Sequence, residues 1–423
     1  VSQQRHSSNP GKGTAVEKIM RPTSFLFGMV LVIAACGGAT VEDGSNESTT
    51  TSEQTTTSST RAPGSTLDPE PEVASALDDM DHPSFPEPLV DPEEIISGGP
   101  PPDGIPPIDE PAFVSIEDAD EWLGTNEPII YLEVNDEVHG YPVQILIWHE
   151  IVNDTVGGVP VAVTYCPLCN SAVSYRREVG GEGTTFGTSG RLFASALVMY
   201  DRATESLWTH FDGRAVVGAL TGQRLEPIPS PLLGWSDFKE AFPDAKVLDR
   251  DATAYSRPYG ENPYAGYDNP DSEPFLFRGS VDDRAASKQR VVGVSIDEAA
   301  RAWSLDALMD GSASATNDHV GEAPVVIFWK AGQASALESE LVVSGRDVGS
   351  VAVFSPVVEG QTLTFIVDGD AFVDNQTGSR WDVTGTAIDG ELAGASLDQI
   401  HHLDTFWFAW STYQPETDLV DGN

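Results

Sequence analysis

The stretch Asp201-Arg202-Ala203-Thr204-Glu205-Ser206-Leu207-Trp208 returns as Asp374-Asn375-Gln376-Thr377-Gly378-Ser379-Arg380-Trp381, with Asp, Thr, Ser and Trp held at one spacing across an offset of 173. After one deletion the match resumes at 172, pairing Ala215 with Ala387, Gly218 with Gly390, Leu220 with Leu392, Gly222 with Gly394, Leu225 with Leu397, Trp235 with Trp407 and Pro243 with Pro415. Upstream, Pro160-Val161-Ala162-Val163-Thr164-Tyr165 aligns with Pro324-Val325-Val326-Ile327-Phe328-Trp329 at 164. Weaker similarity links Val134 and His139 to Ile296 and Arg301 at 162. Such self-similarity predicts an internal duplication. Its copies run over about 127–250 and 291–420, with a bridge at 251–290 between them.

Working outward from the repeat, β-rich runs at 129–134, 161–165 and 196–200 alternate with Gly and Asx turns and read as strands. Short amphipathic helices are expected at 143–152 and 236–242, the second stopping before Pro243. The predicted fold is therefore β-rich α+β: two similar lobes at 112–250 and 291–423, preceded by a disordered acidic, Pro/Ser/Thr-rich tether at 36–111. That tether is too poor in apolar side chains to offset the entropy of ordering, although 78–91 carries enough of them to pack along the domain.

The 423 residues hold 66 acidic and 23 basic side chains, for a formal net charge of -43, which repels nucleic acid and anionic lipid surfaces. Nucleic-acid binding is excluded on that ground. At the other end of the argument, Arg21 precedes an apolar run at 25–35 and then Cys36-Gly37-Gly38, which reads as a signal peptide over 1–35. The run is too short to span a bilayer. Ile33-Ala34-Ala35-Cys36 resembles a bacterial lipobox, in which Cys36 is acylated and becomes the mature N-terminus, and Met20 is then the start. The expected location is the extracytoplasmic face of the cell membrane, with the lipid anchor as the sole membrane contact.

Two further cysteines lie in Thr164-Tyr165-Cys166-Pro167-Leu168-Cys169-Asn170, directly after an apolar strand. This spacing puts both sulfurs on one turn, which suits a dithiol that opens and closes, two thiolates on one metal, or a permanent disulfide. As a staple the pair would contribute little, about 2 kcal/mol for so short a loop. The aligned positions in the second copy are Lys330 and Gln333, so that copy folds without the pair.

A metal site needs a third or fourth ligand, and His149, just before the cysteine-bearing strand, is the leading candidate. Met199 and His210 are further donors, Met199 favouring copper(I). The absence of CxxCH argues against covalent haem. The glycines around Ser189 in Phe186-Gly187-Thr188-Ser189-Gly190-Arg191-Leu192 read as a turn rather than a nucleophile elbow. Adjacent His401 and His402 diverge in regular structure and make no metal motif.

Together the stretches TYCPLCNSA, FGTSGRL, LVMYDRATESLW and WHEIVND resemble domain-of-unknown-function family 3179, found in bacterial and archaeal secreted or anchored proteins. The resemblance covers 127–293 and extends to Phe406-Trp407-Phe408-Ala409-Trp410 and Pro415. It implies a shared fold and site, and it highlights His149, Cys166, Cys169, Gly187, Ser189, Gly190, Asp201 and Trp208. No activity comes with it.

Three functions are compatible with these residues. The first is a surface protein that holds copper or zinc on Cys166, Cys169 and His149. The second is a thiol-disulfide oxidoreductase in which Cys166 attacks and Cys169 resolves. The third is a non-catalytic scaffold with a structural disulfide and an aromatic ligand cleft around Trp208, Tyr264 and Tyr267. The sequence specifies neither the small ligand nor the protein partner.

Overall fold

Short strands alternate with tight turns because the β-branched and aromatic runs are cut every few residues by Gly or Asx pairs. The computed structural model describes residues 74–251, 253 and 255–422. The signal segment, Cys36 and the tether up to residue 73 lie outside the described residues. The predicted strands are present as Pro128–Val134, Val159–Cys166 and Ala196–Asp201, and the second predicted helix as Trp235–Ala241. The first helix is shorter than expected. It covers Val143–His149 and stops at Glu150, whose φ is 59°, because Ile151 already belongs to the strand Ile151–Val156. Apolar residues at 151 and 152 fit a helix face and a two-sided buried strand equally well, so periodicity alone extends the helix too far.

Among the described residues, each half forms three sheets of four or five strands beside one two-stranded ribbon, and the strand orders of the larger sheets correspond. The first sheet runs Leu232–Gly234, Pro128–Val134, Glu137–Pro142, Lys246–Leu248, with Phe113–Val114 at its edge; its counterpart runs His402–Phe406, Arg290–Ile296, Ala299–Ser304, Asp418–Val420. In both, the strand that closes the series pairs in parallel. The second sheet orders Ile151–Val156, Val159–Cys166, Ser171–Arg176, Pro227–Ile228, against Ala313–Val320, Ala323–Lys330, Ser350–Ser355, Asp398–Gln399. The third orders Phe186–Phe193, Ala196–Asp201, Leu207–Thr209, Ala215–Val217, against Phe365–Asp368, Ala371–Asp374, Arg380–Trp381, Ala387–Asp389. The chain is thus β-rich with many small sheets.

The repeated Asp-Thr-Ser-Trp stretch explains itself here. Fully buried Asp201 accepts hydrogen bonds from Thr204 N at 2.7 Å, Ser206 N at 3.2 Å and Trp208 Nε1 at 3.0 Å. Asp374 does the same with Thr377 N at 2.6 Å, Ser379 N at 3.1 Å and Trp381 Nε1 at 3.1 Å. One carboxylate closes the turn and ties it to a buried indole. Asp201→Ala is therefore expected to cost about 3 kcal/mol or more, since it orphans several buried donors, and Asp374→Ala a similar amount. Urea denaturation midpoints of the two variants check this; a loss below 1 kcal/mol would refute it.

The halves do not close separate cores. One cluster joins Leu146, Val163 and Trp208 of the first half to Val291, Phe406 and Trp410 of the second. Another joins Tyr131, Trp235 and Phe238 to Phe328, Phe354 and Trp381. The crossing is made by edge strands. Gly234 N donates to Ser350 Oγ at 2.9 Å, and the corresponding Phe406 N donates to Cys169 O at 3.1 Å. At Gly234 a side chain has no room, since a Cβ would sit 2.4 Å from Gly332 O.

The expected tether also needs correction from residue 74 on. Ala76 and Ile95 are buried with Val198, Leu207 and Val216 on the outer face of the third sheet, and Met80, Phe85 and Val90 pack beside them. Leu89 N donates to Val216 O at 2.9 Å, and Ile96–Ser97 pairs with Leu192 and Arg191. Sparse apolar groups suffice because they land on a ready-made apolar face and their backbone joins a sheet edge. Among the described residues no helix is long and apolar enough to cross a membrane.

Candidate metal centre

Val159–Cys166 ends at Cys166, and Ser171 opens the next strand directly opposite it. Pro167-Leu168-Cys169-Asn170 therefore forms a tight reversal, in which Asn170 takes a φ of 50° and donates its amide to Pro167 O at 3.3 Å. That turn folds Cys169 back over the strand end. Its Sγ lies 2.9 Å from Ser171 Oγ, and both cysteines are free thiols, 1% and 0% exposed.

The third member is His210. One sulfur from each cysteine and one ring nitrogen of His210 all lie within 4.8 Å of one another. The neighbouring sheet positions it. Leu197 O accepts from His210 N at 3.0 Å while Leu197 N–H points to the Cys166 sulfur, and Tyr175 Oη donates to His210 O at 2.8 Å. The ring is fully buried, and neither Nδ1 nor Nε2 has a hydrogen-bond partner among the described residues. Burial without compensation pushes its pKa down to about 3, so the imidazole is neutral and both lone-pair and N–H capacity are unspent.

The thiols differ. Burial alone would raise Cys166, yet hydrogen bonding from Cys169 and from the amides of Leu197, Cys169 and Leu168 brings it below the ordinary thiol value. Burial, then Cys166 itself, pushes Cys169 well up. The second half seals the site: Thr405 Oγ1 donates to Cys169 O at 2.7 Å, beside the Phe406 amide. Around it stand Tyr264, Tyr267 and Tyr413, whose hydroxyls burial holds un-ionised and whose environment includes the Cys166 sulfur.

The structure does not bring His149 to the cysteines. Nδ1 bonds Pro106 O and Nε2 bonds Tyr259 Oη, both at 2.7 Å, so both nitrogens are already used. Ser189 and Gly190 form a bulge in Phe186–Phe193, where the register shifts between Thr188 and Arg191, and Gly187 lies in regular register opposite Tyr200. Ser189 Oγ donates to Val198 O at 2.5 Å, and a Cβ on Gly190 would sit 1.9 Å from Pro100 O. These residues shape the sheet and the strap that crosses it. Asp201 and Trp208 are bonded to each other in the core rather than lining a cleft. Of the aromatic trio, Tyr264 and Tyr267 approach the cysteines.

Sequence reasoning passed over Glu150. It is 6% exposed, adopts a φ of 59°, and its carboxyl makes no hydrogen bond among the described residues. Burial, and after it the nearby Cys166, raises its pKa well above the carboxylate range. A non-glycine residue at positive φ with a buried acid beside a thiol is the signal, and only the backbone reveals it.

In the second half the corresponding place holds a different device. Lys330 ends its strand as Cys166 does, and Ser350 opens the next as Ser171 does, but 19 residues separate them instead of four. Lys330 Nζ pairs with Asp237 at 2.7 Å and Ser350 Oγ donates to the same carboxylate at 2.9 Å. Gln333 is therefore not the topological equivalent of Cys169, and an ion pair occupies the place of the thiols.

No curated protein and no solved structure matches the chain. A family model matches over residues 102–417, and on that match the chain belongs to the family described as Protein of unknown function (DUF3179).

Proposed function

We propose that this chain is a lipid-anchored, extracytoplasmic protein that holds one soft metal ion, copper(I) in preference to zinc(II), on Cys166, Cys169 and His210. The observation that carries the reading is the orphaned imidazole. A buried histidine with neither nitrogen satisfied costs about 1–3 kcal/mol, and such a cost is retained where a ligand removes it. The donor set is two sulfurs and one nitrogen, all buried, which suits a soft, low-coordinate ion; zinc(II) in closed sites normally takes four ligands. The anchor at Cys36 rests on the lipobox-like sequence, and the two halves are read as copies of one ancestral unit from their parallel strand orders and matched Asp turns. On that reading one copy kept the thiols and the other an ion pair.

Anaerobic titration of the reduced protein with copper(I), in competition with a chromophoric chelator, tests the site. One equivalent should bind, and Cys166→Ser and Cys169→Ser should each abolish tight binding. Protein that takes up neither copper(I) nor zinc(II) would sink the proposal.

A second reading, a thiol-disulfide couple, is favoured by the opposite pKa displacements of Cys166 and Cys169. Burial of both sulfurs argues against exchange with a protein partner. If the pair cycles with small thiols at a moderate potential while binding no metal, this reading replaces the first.

A further inference from the structure

A cavity of about 340 Å³, whose lining includes neither thiol, is lined by Lys288, Arg290 and Arg346 together with Leu305, Met309 and Val348. Basic residues number 23 against 66 acidic ones, so three cations on one cavity wall do not follow from a generally basic surface. They come from two parts of the chain: Lys288 and Arg290 from the end of the bridge and the start of Arg290–Ile296, and Arg346 from the long loop that replaces the cysteine turn.

What matters is which guanidinium edges are spent. Arg290 is 6% exposed; its Nε donates to Asp404 at 3.1 Å and its Nη2 to the same carboxylate, while Nη1 has no partner among the described residues. Arg346 Nη1 faces Asp268 at 2.8 Å and Glu338 at 3.4 Å, leaving its Nε and Nη2 edge unbonded among the described residues. Lys288, 2% exposed, donates to Tyr267 O at 2.8 Å and Ser272 Oγ at 2.7 Å. Two carboxylates also line the cavity. Asp347 already accepts two amides through Oδ1, from Gly332 and Gly349, each at 2.9 Å, and Asp306 lies in the first turn of Leu305–Leu308.

A guanidinium carries five N–H donors, and both arginines keep donors in reserve at this cavity. We propose that the cavity binds a small anion bearing a carboxylate or phosphate group, gripped by the free Nη1 of Arg290 and the free Nε–Nη2 edge of Arg346. The volume suits a small molecule, and Leu305, Met309 and Val348 supply an apolar wall for its carbon skeleton. Asp306 and Asp347 select against a polyanion. The flat Nε–Nη2 edge matches a carboxylate or phosphate with two parallel hydrogen bonds.

Calorimetric titration of the full chain with succinate and, separately, with inorganic phosphate at low ionic strength tests this, with chloride as control. One of the two should bind saturably at one equivalent, and the tighter one identifies the headgroup. Arg346→Gln should weaken binding about tenfold or more. Met309→Trp, at a side chain 40% exposed, fills the mouth without touching a charge and should abolish binding while the thermal transition stays put. Absence of saturable binding by both anions, or binding that Met309→Trp leaves intact, overturns the assignment. Neither result bears on the thiol site, whose copper(I) titration is independent.

Discussion

His210→Phe should make the metal-free protein more stable and the metal-binding protein useless. Both effects follow from one observation, the fully buried imidazole with two unpartnered nitrogens. In the metal-free chain those nitrogens have lost water and gained nothing, at a cost of about 1–3 kcal/mol; a phenyl ring of similar outline has no such debt. Thermal or urea denaturation should therefore place His210→Phe above the parent by about 1–3 kcal/mol, less any strain from the slightly larger ring. His210→Leu controls for that strain. Copper(I) affinity should fall at least about a hundredfold, because two thiolates remain but the third donor is gone. A ligand role and a packing role predict opposite signs of the stability change. If both variants lose stability and retain the affinity of the parent, His210 is a core residue and the metal reading fails.

How much of this could be read from the chain depended on the distance over which each feature is determined. The Asp-Thr-Ser-Trp turn was legible because all its bonds are local: Asp201 to Trp208 is one closed unit, and so is Asp374 to Trp381. Cys166 and Cys169 were legible for the same reason, sitting on one reversal after one apolar strand. His149 was misleading because nearness in sequence to that strand says nothing about where a ring points; residues 106 and 259, far apart in the chain, capture it. His210 arrives through Leu197, a strand contact that no spacing encodes. The aligned Gln333 misled through loop length, since an ungapped match cannot register the longer connection between Lys330 and Ser350.

The sharing of cores between the halves was not legible for a related reason. Each half contains every strand of its three larger sheets, so its pattern looks self-sufficient, yet the edge strands at 232–234 and 402–406 pack on the sheets of the other half. Which partner an apolar face chooses is a tertiary decision between equally hydrophobic options. That exchange has a functional side. Thr405 and Phe406 belong to the second half, but their donors hold the Cys169 carbonyl, so the half without thiols fixes the turn that carries them.

Acid should destabilise the metal-free protein through His210 in a defined window. Burial sets its folded pKa at about 3, below the reference value of 6.5. Between those values the unfolded chain holds a proton on this group that the folded chain does not, so unfolding takes up protons and stability falls as pH falls. The loss begins near pH 6.5, grows until about pH 3 and then levels off for this group; the full gap corresponds to about 5 kcal/mol as an upper limit. His401, pushed down to about 4 by burial, adds to the same slope, and Glu137, pulled down to about 2 by Lys246 and His139, adds to the loss at lower pH. Those contributions persist when His210 is replaced. The difference between parent and His210→Phe therefore isolates one group: the variant's advantage should widen from pH 7 to pH 4.5 by about 2 kcal/mol or more. Urea denaturation at three pH values, with a chelator present, measures it. Parallel pH dependences for the two proteins would mean that His210 is hydrated or already paired in solution, and its unspent nitrogens would no longer point to a metal.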